Sequence, residues 1–214
     1  NSTITNALIM KLRYIFLASF IICVTSLWAV NADGVMKNVL TKYRTSTCLS
    51  ANLAITAGKN TSKGTIIMQD NCFKLQTLEL RCWYDGKNMW TYSKDVGEVN
   101  LTSPTNEELQ SMNPYIALRN YKTDNIVSLL KSYDSDSYVL KLVPKSTKKS
   151  TYREIVISVS KTSYYITKAV IVMANGQQSS IHITGYRALN KYETQFFKFS
   201  ASEVPKATPV IDLR

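Results

Sequence analysis

Apolar residues change their spacing several times along the chain, and each change marks an expected element. Tyr14 to Val30 is an almost unbroken apolar stretch behind the basic segment Met10-Lys11-Leu12-Arg13. Between Asp33 and Thr45, Val35, Val39, Leu40 and Tyr43 recur at helical spacing, so an amphipathic helix is expected with Asp33 as its cap. From Leu49 the period drops to two: Leu49, Ala51, Leu53 and Ile55 alternate with small or polar residues, as in a half-buried strand. Further strands follow at Thr65–Met68 and around Phe73 and Leu75. Trp83 leads into Asp85-Gly86, a strong hairpin-turn signal, with Met89, Trp90 and Tyr92 beyond it and a short strand at Glu98–Leu101.

The meander then breaks. Ser103-Pro104-Thr105-Asn106-Glu107-Glu108-Leu109 places acidic residues in a first helical turn, where they suit the helix dipole, and Thr105-x-x-Glu108 fits a capping box. Leu109 and Met112 share a face, Asn113-Pro114 ends the helix, and Tyr115–Tyr121 is read as a second short one. Strands resume at Ile126–Tyr133, Tyr138–Val143, Tyr152–Val159, Tyr164–Met173 and Ser179–Tyr186, and a last short strand is expected at Phe196–Phe199. The outline is a helix, a long antiparallel sheet, a helical insertion and more sheet. About ten strands in one sheet curl or close on themselves. A curled sheet has a concave face, and the helices are the candidates to plug it. That geometry is a container.

The N-terminal pattern of a basic segment, an apolar run and the small residues of Val30-Asn31-Ala32 is the layout of a secretory signal peptide, with cleavage expected after Ala32. Met10 is then the start, residues 1–9 lie upstream of it, and residues 33–214 form a single exported domain. The alternative is a retained anchor, since the apolar run reaches the lower limit for spanning a bilayer. No stop-transfer charge cluster follows it. Cys23 follows Ile21-Ile22 rather than the small residues that a lipidation site needs.

Composition narrows the chemistry. With 45% hydrophobic residues and 19% charged, the chain has material for a real core and is not a disordered segment. The net charge of +11 suits an anionic partner, yet the densest basic run, Lys145-Ser146-Thr147-Lys148-Lys149, falls between two strands and reads as a solvated loop. Without a basic helix or an aromatic RNA-binding motif, nucleic acid is not expected as a partner. The single histidine, His182, alternates with Ile181 and Ile183 and is expected on the surface; no G-x-S-x-G elbow, phosphate loop or functional carboxylate pair accompanies it. No catalytic residue and no metal site is expected, so the chain reads as a non-enzyme. Removal of the signal leaves Cys48, Cys72 and Cys82. Cys72 and Cys82 flank a hairpin and are a candidate disulfide across neighbouring strands; alternatively all three are buried as small hydrophobes.

Taken together, Gly64-Thr-Ile-Ile-Met68, Phe73-Lys-Leu75, the Trp83-Tyr-Asp-Gly-Lys-Asn-Met-Trp-Thr-Tyr92 hairpin, Pro104-Thr-Asn-Glu-Glu-Leu109, Asn113-Pro114-Tyr115, Phe197-Lys-Phe199 and Val210-Ile-Asp-Leu-Arg214 resemble the LolA-like outer-membrane lipoprotein carriers. The resemblance implies an α+β fold, an incomplete, half-open antiparallel β-barrel of about ten to eleven strands with a helical lid. It implies a periplasmic carrier, acting as a monomer without cofactor. Such a carrier takes acylated lipoproteins from an inner-membrane ABC-type releasing complex to the outer membrane, in some lineages through a receptor of the same fold. Each methylene of an acyl chain removed from water is worth about 0.8 kcal/mol, so one long chain contributes on the order of 10 kcal/mol. Such a carrier needs concave apolar area more than charge. Phe73, Leu75, Trp83, Trp90 and Tyr92 are the expected cavity residues, and Leu109, Met112, Tyr115 and Ile116 the expected lid residues; ordinary core packing is the competing reading for each.

One departure matters. Where carriers of the family have an Arg-Pro pair before the strand that starts here at Phe73, this chain reads Gln69-Asp70-Asn71-Cys72. A gating mechanism built on that arginine does not transfer. Two other functions compete with the carrier: an envelope sensor or adaptor of the same fold that binds lipid or lipoprotein as a signal, and a secreted adhesive β protein glycosylated at Asn60 or Asn100.

Overall fold

The computed structural model describes residues 30–146 and 150–214, apart from Glu107, Gln110, Ser111, Met112 and Asn120. The apolar stretch before Val30 lies outside these residues. Contacts divide the chain into residues 1–30 and Asn31–Arg214.

Helix α1 spans Ala32–Thr45, close to the expected limits. Its cap is Asn31 rather than Asp33: the Gly34 N–H donates to Asn31 Oδ1 at 2.8 Å. Asp33 sits instead in the first turn, where a negative charge favours the dipole, and Lys42 and Arg44 sit in the last. Val35, Met36 and Val39 make the buried stripe.

Six strands follow: β1 Cys48–Ala57, β2 Asn60–Gln69, β3 Cys72–Thr77, β4 Leu80–Tyr84, β5 Met89–Ser93 and β6 Glu98–Thr102. The helical insertion contains α2 (Pro114–Arg119) and α3 (Tyr121–Asp124). Then come β7 Asn125–Leu130, β8 Ser137–Pro144, β9 Tyr152–Ser160, β10 Ile166–Met173, β11 Gln178–Leu189 and β12 Val210–Asp212. They form one 12-stranded sheet in the order β12-β6-β5-β4-β3-β2-β1-β11-β10-β9-β8-β7. Every pairing is antiparallel except β12 beside β6. The two ends of the sheet, β12 and β7, are not bonded to each other, so the barrel stays open.

Cross-strand register lines the apolar residues into continuous rows on one face. Leu49, Met68, Phe73, Tyr84 and Met89 are successive partners, as are Ala51, Ile66, Leu75 and Cys82. In the other half, Leu140, Ile157, Ala169, Ile181 and Ile55 continue the same face. These residues and the α1 stripe belong to one core cluster. Two glycines permit the curvature. A Cβ at Gly64 would lie 2.1 Å from the Gln76 carbonyl oxygen, so only glycine lets β2 approach β3 there. Gly185, at φ +61°, sits where the β1–β11 register slips between Ser50 and Asn52, a bulge that bends the sheet.

Two expected strands change. Ile126–Tyr133 shortens to β7, with Tyr133 fully out in solvent. Phe196–Phe199 is not a strand: Thr194–Phe197 is a 3₁₀ turn. A strand sends adjacent side chains to opposite faces, whereas here the Phe196 and Phe197 rings meet edge to face at 5.2 Å.

In a chain that keeps Asn31 and Ala32, replacing Asn31 with alanine is expected to cost about 1 kcal/mol of stability through the lost cap, read as a fall of a few degrees in Tm without change in the far-UV circular dichroism; cleavage after Ala32 removes the same cap.

Candidate ligand-binding face under the helical lid

The concave face of the sheet is covered by α1 and by the insertion between β6 and β7. The insertion opens with the expected capping box: the Thr105 N–H donates to Glu108 Oε2 at 2.7 Å, and the Glu108 N–H to Thr105 Oγ1 at 3.3 Å. Leu109 is buried in the core. Buried Asn113 then sets up α2 by accepting the Tyr115 N–H at 3.0 Å on Oδ1, and α2 turns Tyr115 and Leu118 into the core while Ile116 packs at its margin. The expected lid residues Leu109, Tyr115 and Ile116 therefore do cover this face, joined by Leu118 and Tyr121; Met112 lies outside the described residues.

Tyr115 is the anchor. Its ring stacks on Tyr43 of α1 with centroids 4.6 Å apart. Its hydroxyl donates to Tyr186 Oη at 3.3 Å, and Tyr186 in turn donates to the Ile166 carbonyl at 2.7 Å. The Tyr186 ring stacks on Tyr165 at 4.2 Å. Burial pushes the Tyr115 hydroxyl up to about 12, against the smaller lowering effect of its hydrogen bonds. Burial also raises Tyr43 and Tyr186, so the whole network is neutral and uncharged near pH 7.

The expected cavity residues divide between two faces. Phe73 and Leu75 lie under the lid, in the apolar rows. Trp83, Trp90 and Tyr92 do not: Trp83 pairs with Lys74 and Trp90 in register, which places them on the opposite, convex face. There Trp83, Tyr92 and Val99 form a second cluster with Trp90, Phe199 and Val204. It is closed by the segment running from Tyr192 to β12. Gln69 pins the start of that strap, donating to the Tyr192 carbonyl at 2.9 Å and accepting its N–H at 2.8 Å. Glu203 pins its middle: it pairs with Lys74 at 2.5 Å, accepts the Trp83 indole N–H at 3.3 Å, and its carbonyl accepts from Arg81. Lys74 also lies 4.7 Å from the Phe196 ring centroid.

The candidate disulfide is absent. Cys48, Cys72 and Cys82 are free thiols. The register explains it: Cys82 faces Leu75 and Cys72 faces Gln69, so the two cysteines are out of step and on opposite faces. Cys82 is a core residue, with its thiol raised by burial to about 12. His182 is exposed on the convex side of β11. Among the described residues, no three His, Cys, Asp or Glu side chains gather to hold a metal ion, and no helix is long and apolar enough to cross a membrane.

The sequence model of the family described as "Outer membrane lipoprotein carrier protein LolA" matches residues 28–177, more than half of the chain. The chain belongs to the LolA family. Among solved structures, an uncharacterized conserved protein from Thermus thermophilus is 11% identical with a TM-score of 0.55, and the match covers 85% of this chain and 98% of that one. A LolA superfamily protein from Nitrosomonas europaea is 15% identical, with 80% and 99% of the two chains covered and a TM-score of 0.45. A DUF1329 family protein from Desulfovibrio piger is 12% identical, with 79% and 98% covered and a TM-score of 0.49. No curated protein matches the chain significantly in sequence. The family assignment and the geometry agree on a half-open barrel with a helical lid.

In this LolA-family chain the β2–β3 turn lacks the Arg-Pro pair that the resemblance leads one to expect, and the structure shows what stands there instead. Asp70, at φ +52°, and Asn71 make the turn. Arg119, at the end of α2, donates to Asn71 Oδ1. The Tyr43 hydroxyl donates to the Asp70 carbonyl at 3.1 Å, and Lys191 pairs with the Asp70 carboxylate at 3.6 Å. The cation is thus carried by the lid and the acceptors by the barrel rim. Arg119, Asn71, Asp70 and Tyr43 line a cleft of about 180 Å³ with Leu40, Arg44 and Ser46. Nothing in the residue pattern signals this contact, because a lone arginine in the last turn of a helix is ordinary dipole chemistry.

Arg119→Ala is expected to loosen the lid. An exposed charged hydrogen bond worth about 1 kcal/mol shifts opening about fivefold, read as a matching rise in fluorescence of an apolar dye on the folded variant. Unchanged dye binding would show that the contact does not hold the lid.

Proposed function

We propose that this LolA-family protein is a non-enzymatic periplasmic carrier that takes up the acyl chains of lipoproteins under its lid and moves them from the inner to the outer membrane. The observation that carries the reading is the apolar row structure from β8 round to β5, which no charged side chain interrupts and which α1 and the short helices of the insertion cover. The energies are matched. Leu109, Tyr115, Leu118 and Tyr121 each gain about 1.5–3 kcal/mol by burial, on the order of 10 kcal/mol for the lid, which is about what one long acyl chain gains on leaving water. A chain can therefore replace the lid side chains on the concave face, and the lid can replace the chain again at delivery. Its partners are then acylated lipoproteins, an inner-membrane ABC-type releasing complex and an outer-membrane acceptor.

The test is release of newly made lipoproteins from spheroplasts of a Gram-negative cell into a soluble complex with the purified protein, with the acyl groups verified by mass spectrometry. Leu75→Asp, which puts a charge on the concave face, is expected to cut release at least tenfold. Gln76→Asp, one residue along on the exposed face of the same strand, is expected to leave it unchanged. Both are checked for fold by circular dichroism. Failure of the unsubstituted protein to solubilise any acylated protein would sink the carrier reading, and capture of free lipid alone would turn it into lipid sensing.

A further inference from the structure

One buried polar group on the concave side is left without a partner. Asn125 opens β7 directly after α3, is 3% exposed, and stands opposite Pro144 in the β7–β8 register. Its Oδ1 accepts the Tyr152 hydroxyl at 2.9 Å. Its Nδ2 finds no acceptor among the described residues. Folded chains contain few such groups, because an amide N–H taken from water and left unbonded lowers stability. A leucine would remove the unmet donor, at the cost of the hydrogen bond from Tyr152. Asn125 also sits where the movable parts meet: α1 packs on β7, and α3 runs straight into it. Tyr121, in the same short helix, walls a groove of about 360 Å³ between α1 and α3, together with Lys37, Leu40 and Lys122. The amide thus lies at the junction that a displacement of α3 from β7 would open.

An acyl chain brings one polar atom that cannot be left behind: the carbonyl oxygen that joins it to glycerol as an ester or to an amine as an amide. Buried against aliphatic side chains, that oxygen has the complementary difficulty, an acceptor without a donor. We infer that Asn125 Nδ2 is the hydrogen-bond donor for the carbonyl at the head of a bound acyl chain. The inference rests on the acyl-carrier reading and adds a fixed depth to it. The chain enters with its carbonyl at the α1–α3–β7 junction and its methylenes along the rows behind, so carbonyl-bearing chains are selected over plain hydrocarbon.

Dye displacement on the intact protein tests it with methyl palmitate, N-methylpalmitamide and octadecane, probes of matched length that offer an ester carbonyl, an amide carbonyl and no acceptor. The unsubstituted protein is expected to bind a carbonyl probe about tenfold more tightly than the hydrocarbon, the difference one well-placed hydrogen bond makes when its buried donor is otherwise unmet. Preference for the ester assigns the site to a glyceryl-linked chain, and preference for the amide to an N-linked one. In Asn125→Leu the preference is expected to vanish while the hydrocarbon binds at least as well. Equal binding of all three probes by the unsubstituted protein, or a preference that survives in Asn125→Leu, overturns the inference; the first of these decides even if the variant does not fold. Binding of none of the probes overturns the carrier reading with it.

Discussion

An open sheet with one apolar face is unstable in water until that face is covered, and the rest of this structure follows from that constraint. The rows from Leu140 through Ile157, Ala169 and Ile181 to the β1–β5 half are continuous because antiparallel register keeps every second residue on one side. The sheet does not close, since β7 and β12 are separate edges. The side chains of one face alone do not meet across the opening to form a core, so other elements must supply the second layer. Helix α1 and the β6–β7 insertion are that layer.

The two faces of the β3–β5 region are covered in chemically different ways. On the convex side the strap is held by directional contacts: the two-point clamp of Gln69 on the Tyr192 backbone, and the Glu203 carboxylate between Lys74 and Trp83. Removing that strap would leave a half-buried Lys74 without its partner and Gln69, 5% exposed, without either of its bonds, so its detachment costs more than apolar area. On the concave side the lid contributes mainly area, with Leu109 and Leu118 at the core and Tyr115 stacked on Tyr43. Apart from the Tyr115 hydroxyl on Tyr186, its polar fastenings, the Arg119 hydrogen bond to Asn71 and the Lys122–Asp33 ion pair, are at the exposed rim, where such contacts contribute little.

The sheet was legible in the sequence because periodicity reports one thing well, the alternation of burial along a strand. Asp85-Gly86 located a hairpin, and Thr105 with Glu108 located the insertion, because both signals are local. What alternation does not report is which side of a meander faces inward. Phe73 alternates cleanly with its neighbours while Cys82, Trp83 and Tyr84 run together as apolar residues, and Phe73 pairs with Tyr84 and Trp83 with Lys74, so they point to opposite sides. The decision depends on the register of β3 against β4 and on a strap more than 100 residues downstream, and neither is written in the spacing of either strand. Cys72 and Cys82 failed as a pair for the same reason. Arg119 and Asn125 were invisible for another: each is unremarkable in its own segment and gains meaning only from a turn or tyrosine brought close by the fold.

This difference between the covers bears on how a carrier can both hold and release. A ligand displaces a protein element only if it supplies what that element supplied. An acyl chain offers flexible apolar area, and the lid side chains Leu109 and Leu118 offer the same, so the exchange is near balance in either direction. On the proposed reading, an acyl chain has nothing to give Lys74 or Gln69 in place of Glu203 and the Tyr192 backbone, so the strap would stay bound to the convex face when the lid yields. Tyr115 lies between these cases. Its ring can be replaced by methylenes, but its hydroxyl, hydrogen-bonded to Tyr186, which is bonded in turn to the Ile166 carbonyl, cannot. On the proposed carrier reading, those bonds favour return of the lid to one place once an acyl chain leaves, which would make Tyr115 the element that resets the container rather than the one that holds the cargo.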